Sequence, residues 1–360
     1  MKIEYIFAFF AAIAVLDKIT GNHFKLGDEF EKGIMTIGDL LISMAGMIIL
    51  SPLLAKGMSF VFAPVVELFG MDISAPAAFF ANDCGGAAMA YELSDNELLR
   101  AYNGHVLASM FGATLCPVIP IALKIVDKKY HEDVLTGLLC GLATIPFGCF
   151  TSGIIMGVAV KDMLLNTLPI IILSVFICLG LAKAPELIRK ILGFVGSILF
   201  TVMTIGLGIG IVEKLCGITV IPGLAPIDES FIIVGNIAII LAGVFPLLSI
   251  LSKLLDRPFK RFGKLLGIND TSVLGFITTL ANSIPMFSMM KKMDKKGRIM
   301  NMAFAVSAGF ALGDHLAFTL SYDSKYAVPL MIGKLVGGVF AMILAGVIYK
   351  GMSKRIADNV

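Results

Sequence analysis

The chain has 360 residues, 58% hydrophobic and only 15% charged, with a mean hydropathy of +0.92 and a formal net charge of +3. Soluble domains lie nearer half apolar and a quarter charged, so the surplus apolar side chain must face lipid, and a soluble fold is excluded. The small net charge by itself says nothing about partners; for a chain of this class the bilayer is the expected surrounding, and no nucleic-acid partner is expected.

Apolar runs able to cross about 30 Å of hydrocarbon recur along the whole chain. In order they cover 3–20, 34–55, 76–91, 102–125, 134–160, 163–183, 190–212, 231–251, 272–290, 299–320 and 326–349. They lack the two-residue alternation of a barrel strand, so the expected class is an all-α polytopic membrane protein with about nine to eleven transmembrane segments. The first run has a weak basic start, Glu4 offsetting Lys2, and no small-x-small cleavage site, so it reads as a short membrane helix rather than a signal peptide.

Two runs are interrupted. One contains "FFANDCGG" (79–86) and the other "TLANSIPMF" (279–287), where a polar pair is followed by Gly-Gly or by Ile-Pro. If both enter and leave on one side as hairpins, 22 of the 29 basic residues fall on one face and 6 on the other, with Lys334 inside a span. The positive-inside rule then puts the N-terminus outside and the C-terminus in the cytoplasm. If all eleven segments cross, the basic loops at 252–270 and 291–298 fall on opposite sides, a poorer fit. A broken but crossing helix at either site is the alternative.

A shift of 197 residues lays "IGDLLISMAGMIILSPLLAK" (37–56) on "VGNIAIILAGVFPLLSILSK" (234–253), and "FGMDIS" (69–74) on "LGINDT" (266–271). The expected organisation is therefore repeat 1 over 1–160, a connecting span over 161–189 and repeat 2 over 190–360. The two copies have inverted topology and each carries a broken helix, an architecture of transporters.

Asn82 and Asp83 at the first break, and Asn282 and Ser283 at the second, are candidate ligand contacts, because broken backbone exposes unpaired N–H and C=O groups; helix capping is the plainer role for the amides. Asp314 and His315 stand together in the apolar stretch "FALGDHLAF". Consecutive helical residues point about 100° apart, so the two are expected to do different things unless Gly313 distorts the helix. Phe287 flanks the second break and could offer a cation–π face. Lys334, inside the last span, and Asp39, near the start of its own, are candidates for charge pairing or coupling. These acids, amides and aromatic rings suit a small cation with a hydrogen-bonding group. Six scattered cysteines without a Cys-x-x-Cys pair and four histidines without metal spacing give no metal or cofactor. An enzyme built on His315 and Asp314 lacks any nucleophile, metal or phosphate-loop motif.

The stretches "LANSIPMFSMMKKMDKKGRIMNMAFAVSAGFALGDHLAF" (280–318), "DCGGAAMAYEL" (83–93), "IPGLAPI" (221–227) and "MIGKLVGGV" (331–339) closely resemble the bacterial ethanolamine-utilisation permease family. The resemblance implies a permease of the bacterial cytoplasmic (inner) membrane that imports ethanolamine to feed a cytosolic lyase pathway associated with a microcompartment. Alternating access or facilitated diffusion of the protonated cation, a proton- or sodium-coupled carrier, and a channel for a small amine all stay open. A homo-oligomer is compatible with the sequence.

Overall fold

The computed structural model describes residues 3–79, 86–254 and 256–358, and among them the regular structure is all helical. Asn82 and Asp83 lie outside the described residues.

Helix α1 (Ile3–Ile19) turns into α2 (Leu26–Leu40), which continues through a π-helical turn, Leu41–Ala45, into α3 (Gly46–Phe69). The turn between α1 and α2 is organised by Asp17, whose carboxylate accepts the backbone N–H groups of Phe24 at 3.0 Å and Leu26 at 2.8 Å. Lys18 pairs with Glu31 at 3.0 Å across the same turn. The run from Leu26 to Phe69 is 44 residues long. At 1.5 Å per residue it extends about 66 Å, so it reaches well beyond the 34–55 expected from hydropathy and beyond one bilayer thickness.

A short 3₁₀ turn, Ala75–Ala78, precedes α4 (Gly86–Leu93). The next helix runs from α5 (Glu97–Ala101) through π-helical stretches at Tyr102–Gly112 and Thr114–Val118 into α6 (Ile119–Ile125). Residues 102–112 are all buried. Then come α7 (His131–Met156), α8 (Val160–Lys183), α9 (Pro185–Cys216) and α10 (Ile227–Leu254). Small residues bring these helices together: a Cβ on Gly46 or Gly206 would overlap the facing backbone of α9 or α3.

After α10 the sequence suggests a basic loop. The structure instead forms α11 (Asp256–Leu266) there. Its aromatic residues Phe259 and Phe262 pack on the core while Lys260, Arg261 and Lys264 are exposed, so the missed signal is an amphipathic period over only eleven residues. Helices α12 (Asp270–Ala281) and α13 (Ser283–Met289) are separated at Asn282. The ends of this segment meet: Asn269 Nδ2 donates to the Lys292 carbonyl at 2.9 Å, and Ser272 Oγ donates to Asp294 Oδ1 at 2.7 Å. At the first interruption Ser94 Oγ donates to Asp72 Oδ2 at 3.0 Å, which joins the two flanks in the same way.

The stretch 299–320, expected as one span, is not one helix. It comprises α14 (Lys295–Ala308), an irregular link and α15 (Asp314–Asp323). Glycines at both ends of the link and the left-handed Phe310 (φ 59°) break the helix. The freed backbone is satisfied by the neighbouring break, since Phe310 N donates to Thr279 O at 3.0 Å and Leu312 N to Leu280 O at 2.8 Å. A final long helix, α16 (Ala327–Asp358), crosses behind.

Among the described residues six helical stretches are long and apolar enough to cross a membrane. The other hydropathic segments are the 17-residue α1, the partly π-helical 97–125 and the interrupted ones. The class is the expected one, an all-α multi-pass membrane protein.

Candidate functional site

A cavity of about 630 Å³ lies where α2, α6, α9 and the two breaks of the second half converge. Asp39 reaches it from the last turn of α2, Asn282 from the gap between α12 and α13, and Asp314 from the first position of α15. The rings of Phe287 and Phe310 form part of the wall. Four of these were singled out from the sequence: Asp39, Asn282, Phe287 and Asp314. They are far apart in the chain and share one space.

Local folding explains each placement. Asn282 is extended (φ −157°, ψ 128°), and its Oδ1 accepts the Ile284 N–H at 2.8 Å, capping α13. Its capping role and its exposure to the cavity thus coexist. Asp314 does not sit mid-helix; the link at 309–313 makes it the first residue of α15, where the helix dipole favours a carboxylate. His315, one position on, turns away. It is buried, stacks near Phe310 with ring centroids 5.1 Å apart, and is not among the cavity-lining residues.

Ser283 is also absent from the wall. It is fully buried, and its Oγ faces Gly309 with no hydrogen-bond partner among the described residues. Lys334 is fully buried too, and its Nζ donates to the Ser109 carbonyl at 2.9 Å, in the π-helical stretch of the 97–125 helix, rather than entering the cavity.

One wall was not read from the sequence. Gly193, Gly196, Ser197, Phe200 and Thr201 of α9 line the cavity, with Ser43 from the π-helical turn after α2. The signal was present as small and hydroxyl residues recurring at three- and four-residue intervals on one face of an apolar span. Among the described lining residues there are two carboxylates and no lysine or arginine. A smaller cavity of about 160 Å³ shares Phe287 and reaches Asp127 and Lys291, so the site lies toward the end that carries the basic residues.

At the far end of α15 aromatic rings pack together. Tyr91 and Tyr322 meet edge to face at 5.0 Å between centroids, and the buried His105 ring lies 5.9 Å from Tyr322 and 5.7 Å from Phe318. The Arg100 guanidinium stacks 4.5 Å over Tyr91, and Lys325 pairs with Glu97 above them. Asp314 and Tyr322 are eight residues apart on α15, about 12 Å along its axis. One helix therefore joins the acidic cavity to the aromatic plug.

A multi-pass helical membrane protein with an acidic cavity built at helix breaks fits the permease class. The family model described as "Ethanolamine utilisation protein, EutH" matches residues 2–348, and the chain belongs to this family. It is 43% identical over 357 residues to the "Probable ethanolamine permease EutH" of Listeria monocytogenes serotype 1/2a (strain 10403S), covering 98% of this chain and 95% of the relative. Proteins of the same name from Salmonella typhimurium (strain LT2) and Escherichia coli (strain K12) are 37% and 36% identical, each over 95% of this chain and 94% of the relative. These relatives are named as permeases, not enzymes, which agrees with the sequence reading. No solved structure matches the chain.

Proposed function

We propose that this protein imports ethanolamine across the bacterial cytoplasmic membrane as the protonated cation, by alternating access. The observation that carries this reading is the meeting of Asp39 and Asp314 in one cavity whose described lining holds no lysine or arginine. An ammonium group pairs with a carboxylate through charge-assisted hydrogen bonds. The amide of Asn282 and the hydroxyls of Ser43, Ser197 and Thr201 suit an alcohol, and Phe287 and Phe310 suit methylene groups and a cation–π contact. The relatives' names supply the choice of ethanolamine among small amines.

The volume, about 630 Å³, exceeds what so small a substrate fills, so the described state is a vestibule open toward the basic end. With the basic-rich face in the cytoplasm, the N-terminus is outside and the state is inward-facing, the aromatic plug forming the closed external side. The side-chain ties across both interrupted segments, at Asp72 and at its repeat counterpart Asn269, support the inverted-repeat division into 1–160 and 190–360 about the span 161–189. Asp83 and Asn82 at the first break belong to the same proposed path. An inside-negative potential drives a monovalent cation inward by about 2.3 kcal/mol per 100 mV, so no coupling ion is required.

The test is uptake of labelled ethanolamine by proteoliposomes under an imposed inside-negative potential. The expected result is saturable, potential-dependent accumulation of chemically unchanged ethanolamine without a sodium or proton gradient. Uptake no greater than in protein-free vesicles refutes transport, dependence on an ion gradient replaces uniport with coupling, and non-saturating currents replace the carrier with a channel.

A further inference from the structure

A second feature lies outside the transport path. Near the basic-rich ends of α14 and α16, beside the end of α11, a surface groove of about 300 Å³ runs between the helices. Its floor is apolar: Met300 from α14, Met342, Ile343 and Val347 from α16, and Leu266 from α11. Two ammonium groups stand at its edge, Lys296 of α14 and Lys350 of α16, and none of the described lining residues is acidic.

The arrangement follows from helical spacing. Met342, Gly346 and Lys350 lie at four-residue intervals, so α16 presents a stripe that changes from apolar to cationic over about 12 Å. On α14 the order along the chain is reversed, with the cationic Lys296 one turn before the apolar Met300. Gly346 keeps the groove open, since a Cβ there would meet nothing within 4 Å. Lys296 is held in place by its contact with the Leu266 carbonyl, while Lys350 is exposed. Arg261 and Lys264, on the same helix α11 as Leu266, are exposed as well.

We infer that this groove binds one anionic phospholipid, an acyl chain lying along Met300 and Met342 and its phosphate between Lys296 and Lys350. An apolar groove alone would accept any lipid. The paired ammoniums at interface depth, flanked by a basic amphipathic helix, select a headgroup with net negative charge over a zwitterionic one. The lipid would complete the packing between α11, α14 and α16 and tie α14, which leads to the Phe310 link, to the membrane surface.

Native mass spectrometry of the full-length, delipidated protein tests this by titration with dioleoylphosphatidylglycerol or dioleoylphosphatidylcholine. The expected result is one retained phosphatidylglycerol at concentrations where phosphatidylcholine is lost, with no displacement by soluble glycerol phosphate. Lys350→Gln should weaken that retention about fivefold. Gly346→Leu, which fills open space, should abolish it while the unfolding midpoint in detergent stays at the wild-type value. Equal retention of the two lipids, or unchanged retention in Lys350→Gln, overturns the inference. If Gly346→Leu does not fold, the lipid preference and the Lys350→Gln titration still decide it.

Discussion

Asn269 Nδ2 lies 2.9 Å from the Lys292 carbonyl, so one side chain holds together the two ends of the second interrupted segment. Its Oδ1 also accepts the Ser272 N–H at 2.9 Å, capping α12. Asp72, 197 residues earlier, accepts the N–H of Ser74 at 2.9 Å and the hydroxyl of Ser94 at 3.0 Å. A cap that is also a clasp fixes the depth of the break behind it.

Asn269→Ala should therefore lower stability by about 0.5–2 kcal/mol, the range for losing an N-cap, since the Lys292 carbonyl it also frees is exposed to water. Asn269→Ser should cost less, because it keeps a capping oxygen for α12 and loses only the donor to Lys292. The unfolding midpoint of the purified protein in detergent reads both. Equal stability of Asn269→Ala and wild type would show that water replaces the clasp without penalty.

Asp39→Asn and Asp314→Asn should each weaken ethanolamine binding by about tenfold or more, since a hydrogen bond to a charged group contributes about 1.5–3 kcal/mol. His315→Gln, off the cavity wall, should change binding less than Asp314→Asn. Isothermal titration of the detergent-solubilised protein gives the comparison. A larger loss in His315→Gln than in Asp314→Asn would place the cation site behind the wall, not in the cavity.

A Cβ at Gly313 would overlap the Ala281 carbonyl oxygen, the point where the two breaks of the second half press together. Gly313→Ala should consequently abolish uptake or folding, whereas Gly208→Ala in α9, with nothing within 4 Å of its added methyl, should be tolerated. Size-exclusion profiles and proteoliposome uptake for the two variants separate a local packing demand from a general intolerance of substitution. Wild-type uptake by Gly313→Ala would mean that the link moves away easily.

The helices that composition and hydropathy locate are those whose apolar length is unbroken, such as α8, expected at 163–183 and found at Val160–Lys183. The break at Asn282 was legible because Asn-Ser-Ile-Pro both caps and interrupts. The one at 309–313 was legible only as a distortion at Gly313, since "GFALG" is as apolar as a helix, and its irregular path depends on carbonyls that α12 provides from elsewhere in the chain. For the same reason Asp314 could be marked as important while its helix-terminal position could not be read. Asp39 could be marked as a candidate for charge pairing near the start of its span; only the approach of α9 and α15 makes it part of the cavity. The α9 wall was missed because Ser and Thr in an apolar helix usually bond their own backbone, as Ser197 and Thr201 also do here.

The closed aromatic end and the open cavity predict one-sided access. In a background without the native cysteines, Thr201→Cys on the α9 wall should react with a membrane-impermeant maleimide applied from the basic-rich face and not from the opposite face. Ethanolamine should slow that reaction by occupying the cavity beside Asp314. Combining Thr201→Cys with Tyr322→Ala and Glu97→Gln removes the Tyr91–Tyr322 contact and the Glu97–Lys325 pair, and should admit the reagent from the other side as well. Labelling of Thr201→Cys from the opposite face alone, with the plug intact, would reverse the assignment of open and closed ends. Indifference to ethanolamine would separate the cavity from the substrate path.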